Sequence, residues 1–338
     1  PSFDPDCRET LDLLLRIGRR LGKSVLFCNG EPDFLFVSKN RDRLSRYFLI
    51  DLPSEKQADL LVDKGLFYRM GAEYGFPIPK TWRPNDPGEL ESILSEIVFP
   101  CILKPMQQVF WKTSAFQKRY GIGIKALQAK DPATLRTLYR NLWSHHPGVL
   151  IQEYIPGGDD HLYFFDAYFN ARSEPLGYFI ARRIRTYPIH CGISTLAVTV
   201  HDPAIAKAAL RVLQTLEYRG AAHLDFKVDS RDGFPRLLEI NPRFGLAIDL
   251  GARAGSPGIA GDDPFDAARF DHLQFSVERE RPARRERAVA RPGRLAAFVI
   301  DMHLLAAAAR LLGERGVDGA LAHLGHAHHQ RPIDLPGA

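Results

Sequence analysis

HLDFKVD, residues 223–229, and RLLEINPRF, residues 236–244, decide how this chain is read. A strand turns successive side chains to opposite faces. Glu239, Asn241 and Arg243 then share one face, and Leu238, Ile240, Pro242 and Phe244 the other. In the earlier stretch His223, Asp225, Lys227 and Asp229 share one face, and Leu224, Phe226 and Val228 the other. Between them lies SRDGFP, with Asp-Gly at its centre, a turn signal. A hairpin folded about Asp232 sets Asp225 opposite Glu239 and His223 opposite Asn241. Opposed carboxylates repel, so a chain that keeps them points to a cation between them. Two carboxylates and an amide carbonyl are hard oxygen ligands, suited to Mg²⁺ and unsuited to zinc or copper. The alternative is a surface hairpin whose acids pair with Lys227 and Arg243.

Three further stretches bear on that choice. Lys104 ends the apolar strand CILKP, where a buried ammonium needs an anionic partner such as a phosphate, or an exit to solvent. QEYIPGGDD (152–160) runs from a strand into a Gly-Gly turn and two acids. Its extended part can offer backbone groups to a purine edge, and Asp159 or Asp160 can accept from ribose hydroxyls. QQVFWKTSAFQKRYGIG (107–123) is long enough for a lid and carries Lys112, Lys118 and Arg119. Arg182, Arg183 and Arg185 of ARRIR together invite an anion.

Around these motifs the chain alternates. Leucines at helical spacing over 8–22, with Asp6 as cap, precede strands at 24–28 and 46–50 with a helix between. Ser54 and Gln57 form a capping box for a helix expected to reach Tyr74. This is the grammar of a parallel sheet with helices on its faces. The proline-rich stretch 76–88 reads as a linker. A helix near 88–97, strands at 99–105 and 121–129 flanking an irregular loop, and a helix from Pro132 follow. Next come a strand at 148–155, an antiparallel pair around ARSE (171–174), a helix near 202–217, and the hairpin.

The 338 residues suffice for two or three domains, and a net charge of +5 is ordinary. Seven arginines and three glutamates between Glu278 and Arg294 make a basic run without interleaved aromatics, which reads as a solvated segment. Cys7, Cys28, Cys101 and Cys191 lie far apart, without metal spacing or disulfide framework, which suits a reducing compartment. No signal-peptide pattern is present. LAAFVIDMHLLAAAARLL (295–312) holds Asp301, His303 and Arg310 and is expected to form an amphipathic helix, not a membrane span. HLGHAHH (323–329) has no carboxylate or cysteine to complete a metal set.

In order, ILKP, QEYIPGGDD, ARRIRTYP, HLDFK and LLEINPRF resemble the ATP-grasp superfamily over roughly residues 55–255. LLEINPRF with HLDFK fourteen residues upstream is the specific part. Within it the chain is similar to the carboxylate–amine ligase branch, which includes D-aspartate ligase-like proteins. DKGLFYRMGAEYGFPIPKT (63–81), EYIPGGDD and RRIRTYP point there. The resemblance implies an α/β fold of α+β lobes. The expected units are an N-terminal parallel-sheet α/β domain (1–81), a small lobe (82–150), a large lobe with the hairpin (151–275), and a basic, partly helical extension (276–338). Relatives open with one or two more βα units, so the N-terminal domain is expected to be truncated.

The resemblance also implies roles. Lys104, and with it Lys64, would meet the nucleotide phosphates. Gln152, Glu153, Tyr154 and Ile155 would form the adenine hinge, and Asp159 or Asp160 would hold the ribose. Asp225, Glu239 and Asn241 would hold Mg²⁺, with Mn²⁺ as the alternative. Arg243 would steady the phosphoryl group and Arg183 would add a second cationic contact. His223 stands where several relatives place arginine or glutamate. The implied activity is an ATP-dependent amide- or peptide-forming ligase in the cytoplasm, acting through an acyl phosphate on amino acids or short peptides. It would involve neither nucleic acid nor membrane. The competing reading is a nucleotide-binding protein with impaired catalysis.

Overall fold

The computed structural model describes residues 8–28, 30–106, 111, 113–144, 148–187, 193–247 and 250–251, with the backbone of 296–300. The chain opens with α1 (Arg8–Leu21), whose buried Leu11, Leu14, Leu15 and Ile17 follow helical spacing. Gly22, at φ 74°, closes it, its N–H donating to the Gly18 carbonyl at 3.0 Å. A positive φ at this position suits a residue without Cβ. Then come β1 (Ser24–Cys28), α2 (Glu31–Lys39), α3 (Arg41–Leu44), β2 (Phe48–Leu49), α4 (Glu55–Val62) and α5 (Lys64–Glu73).

The single helix expected to run to Tyr74 is two. Ser54 and Gln57 do form the capping box of α4. The chain then leaves helical geometry at Asp63 (ψ 104°), whose carboxylate accepts from the Leu66 N–H at 2.9 Å and caps α5. An aspartate followed by Lys-Gly is itself a start signal, hidden here by continuous apolar spacing. The break makes Lys64 the first residue of α5.

β1 pairs in parallel with β2 and, on its other edge, with Ala296–Ile300. That return strand corrects the helix expected at 295–312 for its first residues. A continuous apolar run fits either a buried strand or a helix, and an edge offered by β1 more than 260 residues earlier leaves no local mark. The remainder of the run, the arginines of 278–294 and the histidines of 323–329 lie outside the described residues.

The second unit contains β3 (Thr81–Trp82), α6 (Pro87–Ile93), β4 (Cys101–Pro105), α7 (Ser114–Tyr120), β5 (Leu127–Ala129), α8 (Pro132–Trp143) and β6 (Val149–Glu153). Its sheet has the order β3-β6-β4-β5. α6 and α8 each begin with a capping aspartate, Asp86 or Asp131, and then proline. The stretch read as an irregular loop contains α7, capped by Thr113. Trp111 and Phe116 are buried and stack at 4.6 Å against a core shared with Leu103, Leu135 and Ile151.

The third unit is antiparallel: β7 (Leu162–Phe169), β8 (Pro175–Tyr187), β9 (Ile193–Val200), β10 (Gly220–Val228) and β11 (Pro235–Asn241), in the order β11-β10-β7-β8-β9. α9 (Pro203–Thr215) covers one face with Ile205, Ala209, Val212 and Leu213. From the sheet, Phe165, Phe169, Leu224 and Phe226 meet it, joined by Phe67, Tyr68 and Met70 of α5. Each such side chain contributes roughly 1.5–3 kcal/mol on burial. The opposite face of this sheet carries the polar residues.

Candidate phosphate and metal site

The hairpin register sets His223 opposite Asn241, Leu224 opposite Ile240 and Asp225 opposite Glu239, as the turn symmetry requires. Towards the turn it slips by one, because a β-bulge places Phe226 opposite Leu237 and Lys227 opposite Arg236. The bulge reassigns the core face. Leu237 and Ile240 are buried, whereas Leu238, expected beside Ile240, is only partly so.

Three further elements converge on this pair. On β7, next to β10, Phe164 lies opposite Asp225 and Asp166 opposite His223. Arg183 of β8 reaches across β7, its guanidinium 5.9 Å from the centre of the Phe164 ring, and donates through Nη2 to Asp225 Oδ1. Lys64 of α5 donates through Nζ to Glu239 Oε2 at 3.2 Å. The Asn241 amide lies 3.3 Å from Glu239 Oε1. Neither acid pairs with Lys227 or Arg243, as the surface-hairpin alternative required. Lys227 lies over the Tyr154 ring at 5.2 Å, and Arg243 donates to the Phe244 carbonyl at 3.1 Å.

The charges are mutually adjusted. Lys64, with burial opposing it, is held above its usual value by Glu239. Glu239 is depressed, first by Lys64, against burial and Asp225, with help from Lys104 and Lys125. Asp225 is depressed far below the carboxylate range, since His223 and Arg183 outweigh its burial. His223 is pushed up to about 10, burial being overcome by Asp166 and Asp225.

Lys104 arrives from the four-stranded sheet. Its Nζ donates to Gln152 Oε1 at 2.8 Å, while Gln152 Nε2 donates to Thr81 Oγ1 at 2.9 Å. The Gln152 side chain, expected at the adenine hinge, is thus buried and turned to the lysine. Tyr68 joins the two sheets, donating to the Leu238 carbonyl and hydrogen bonding to Gln152. Glu153 is fixed by the Lys80 N–H (3.3 Å) and by Arg231 Nη2 (2.6 Å). Arg231 also binds the buried Asp229, and the Ser230 N–H donates to the Pro156 carbonyl, tying the hairpin turn to the hinge strand. Ile155 is buried. Asp159 accepts from Thr186 of β8, and Asp160 lies 3.1 Å from His161.

The structure brings together Lys64, Arg183, Asp225, Glu239 and Asn241, with Lys104 near enough to act on Glu239. Arg243 follows the hairpin but does not bond to its acids. Asp166, bonded to His223, and Tyr68, bonded to Gln152, were not among the expected site residues. Only Asp166 left a trace, as an acid in an otherwise apolar strand. Lys112 of the expected lid lies outside the described residues. The groups gathered here are the carboxylates of Asp225 and Glu239 and the side-chain amide of Asn241. Among the described residues, no three His, Cys, Asp or Glu side chains form a metal-holding group. That set fits Mg²⁺ completed by phosphate oxygens and water, and does not fit zinc. Among the described residues no helix is long and apolar enough to cross a membrane.

No family model matches the chain. The D-aspartate ligase of Enterococcus faecium is 27% identical over 256 residues, covering 72% of this chain and 60% of that protein. The chain thus spans about three fifths of that relative. The ATP complex of D-alanine–D-alanine ligase from Bacillus anthracis superposes with a TM-score of 0.53 at 18% identity, covering 74% of this chain and 79% of that one. The L-amino acid ligase of Bacillus licheniformis gives 0.52 at 15% identity, covering 74% and 56%. At these identities the structural likeness establishes the fold.

Proposed function

We infer that this chain, built on the ATP-grasp fold, is an ATP-dependent ligase that joins a carboxylate to an amine and releases ADP and phosphate. One observation carries the reading: Asp225 and Glu239 face each other across the hairpin, beside Asn241, with Lys64 and Arg183 bonded to them from other elements. Two opposed anions ringed by cations suit the binding of metal and phosphates together. The similarity to a D-aspartate ligase and the fold shared with amino acid ligases favour amino acids or short peptides as substrates.

A carboxylate is a poor electrophile because its oxygen leaves badly. Transfer of the γ-phosphoryl to that oxygen gives an acyl phosphate, which the amine attacks, expelling phosphate. The residues' task is positioning and charge neutralisation. Asp225, Glu239 and Asn241 would hold Mg²⁺, which when bound supplies positive charge to the phosphate oxygens. Lys104 and Lys64 would face those oxygens from two elements, and Arg183 and Arg243 would meet charge near the transferred group. The edge of β6 from Glu153 to Ile155 would receive the adenine, and Asp159 or Asp160 the ribose. Mn²⁺ would serve the same oxygen donors.

The test is an ADP-release screen, amino acids against amino acids, with mass detection of the product. The reading requires ADP formation that depends on both an acid and an amine. ATP binding without such turnover would leave a nucleotide-binding role alone.

A further inference from the structure

Behind the opposed acids lies a second polar layer. Asp166 is 1% exposed, on a strand whose neighbouring residues are aromatic or alanine. Its Oδ1 accepts from His223 Nδ1 at 3.0 Å and from the Gly245 N–H at 2.7 Å. Its Oδ2 has no hydrogen-bond partner among the described residues. The other ring nitrogen, His223 Nε2, points at Asp225 Oδ1 from 3.5 Å. His223 therefore stands between two buried carboxylates, one at the site and one behind it. Gly245 is built into the same layer: a Cβ there would lie 2.3 Å from His223 Nδ1 and 2.9 Å from Asp166 Oδ2. Asp166 thus holds two things at once. Through His223 it fixes the carboxylate of Asp225, and through Gly245 it pins the backbone two residues after Arg243.

We propose that Asp166 and His223 are positioning residues: Asp166 anchors the imidazole, the imidazole orients Asp225 towards Glu239, and the bond to Gly245 sets the path of the Arg243 segment. The proposal rests on the reading of Asp225 and Glu239 as metal ligands. Its physical ground is that a buried carboxylate left without a donor turns towards another or draws in water. Removing the imidazole would leave Asp166 with the Gly245 N–H and Asp225 with Arg183, and nothing joining the two carboxylates. Partners of metal ligands have a measured weight, typically 10- to 100-fold in affinity.

The test measures Mn²⁺ binding to the whole chain with ADP present, by electron paramagnetic resonance, beside ADP binding without metal and thermal unfolding. His223→Asn and Asp166→Asn should each weaken Mn²⁺ binding by ~10- to 100-fold and leave metal-free ADP binding unchanged. His223→Arg, whose guanidinium can donate to both carboxylates, should recover part of the loss, which a purely structural role does not predict. If His223→Asn does not fold, Asp166→Asn and His223→Arg carry the comparison. Variants that melt earlier but bind Mn²⁺ like wild type would overturn the proposal. A wild-type protein that binds no Mn²⁺ with ADP would overturn the metal-site reading itself, and this inference with it.

Discussion

On the five-stranded sheet, Asp225 and Glu239 each lie against a cation carried by another element. On the four-stranded sheet, Lys104 is placed by the neutral amide of Gln152. The first arrangement fixes anions: breaking one side of a buried pair is expensive, about 3–5 kcal/mol when fully desolvated. Lys64 and Glu239 keep 25% and 37% of their side chains exposed, so their pair contributes less. The second arrangement fixes a geometry while the lysine's charge helps to depress Glu239. Asp225 and Glu239 are bonded to charged groups, and Lys104 to the amide of Gln152.

That contrast can be broken from either side. Glu239→Ala should have the largest effect, lowering acid- and amine-dependent ADP release by ~10²-fold or more, by analogy with loss of one preorganised group. Glu239→Gln should also lower turnover, by less, since the amide keeps an oxygen ligand but loses the negative charge that attracts the cation. Lys104→Ala should lower kcat/KM by ~10²-fold; wild-type kinetics there would remove the small sheet from the account. Gln152→Leu leaves the lysine's charge and removes its guide, so a smaller loss is expected, ~10-fold in kcat/KM for ATP. Tenfold larger damage would mean that Gln152 touches the nucleotide itself.

The smallest effect belongs to Arg231, which ties the hairpin turn to Glu153. Arg231→Ala leaves the buried Asp229 short of a donor and should cost about 1–3 kcal/mol of stability. The sign with pH follows from Asp229, whose carboxyl is held below its ordinary value chiefly by the hydrogen bond from Arg231. Its contribution is present above the unfolded value of ~3.9 and is lost as pH falls through the folded one. Melting curves of wild type and variant should therefore draw together in acid.

The hairpin was readable because alternation, an Asp-Gly turn and opposed acids all agree on one register. The bulge was not, since one extra residue in a strand leaves no compositional trace, and only the burial of Leu237 in place of Leu238 reveals it. Proline at the first helical position announced α8, whereas Asp63 was masked by the apolar spacing on both sides of it. The strand at 296–300 escaped because its partner is at the far end of the sequence. Partners in space escaped for the same reason, even where a residue such as Arg183 was itself expected at the site. Arg183 meets Asp225 only because β7 lies between their strands, and Asp166 matters only once His223 and Gly245 are packed on it.

The most direct test of the opposed-carboxylate site is the anomalous scattering of Mn²⁺ in crystals grown with ADP. The expected result is a peak within about 2.0–2.4 Å of oxygens from both Asp225 and Glu239, with a phosphate oxygen on the metal and Lys104 Nζ against the phosphates. A nucleotide bound with its phosphates elsewhere, and no metal between those two acids, would contradict it.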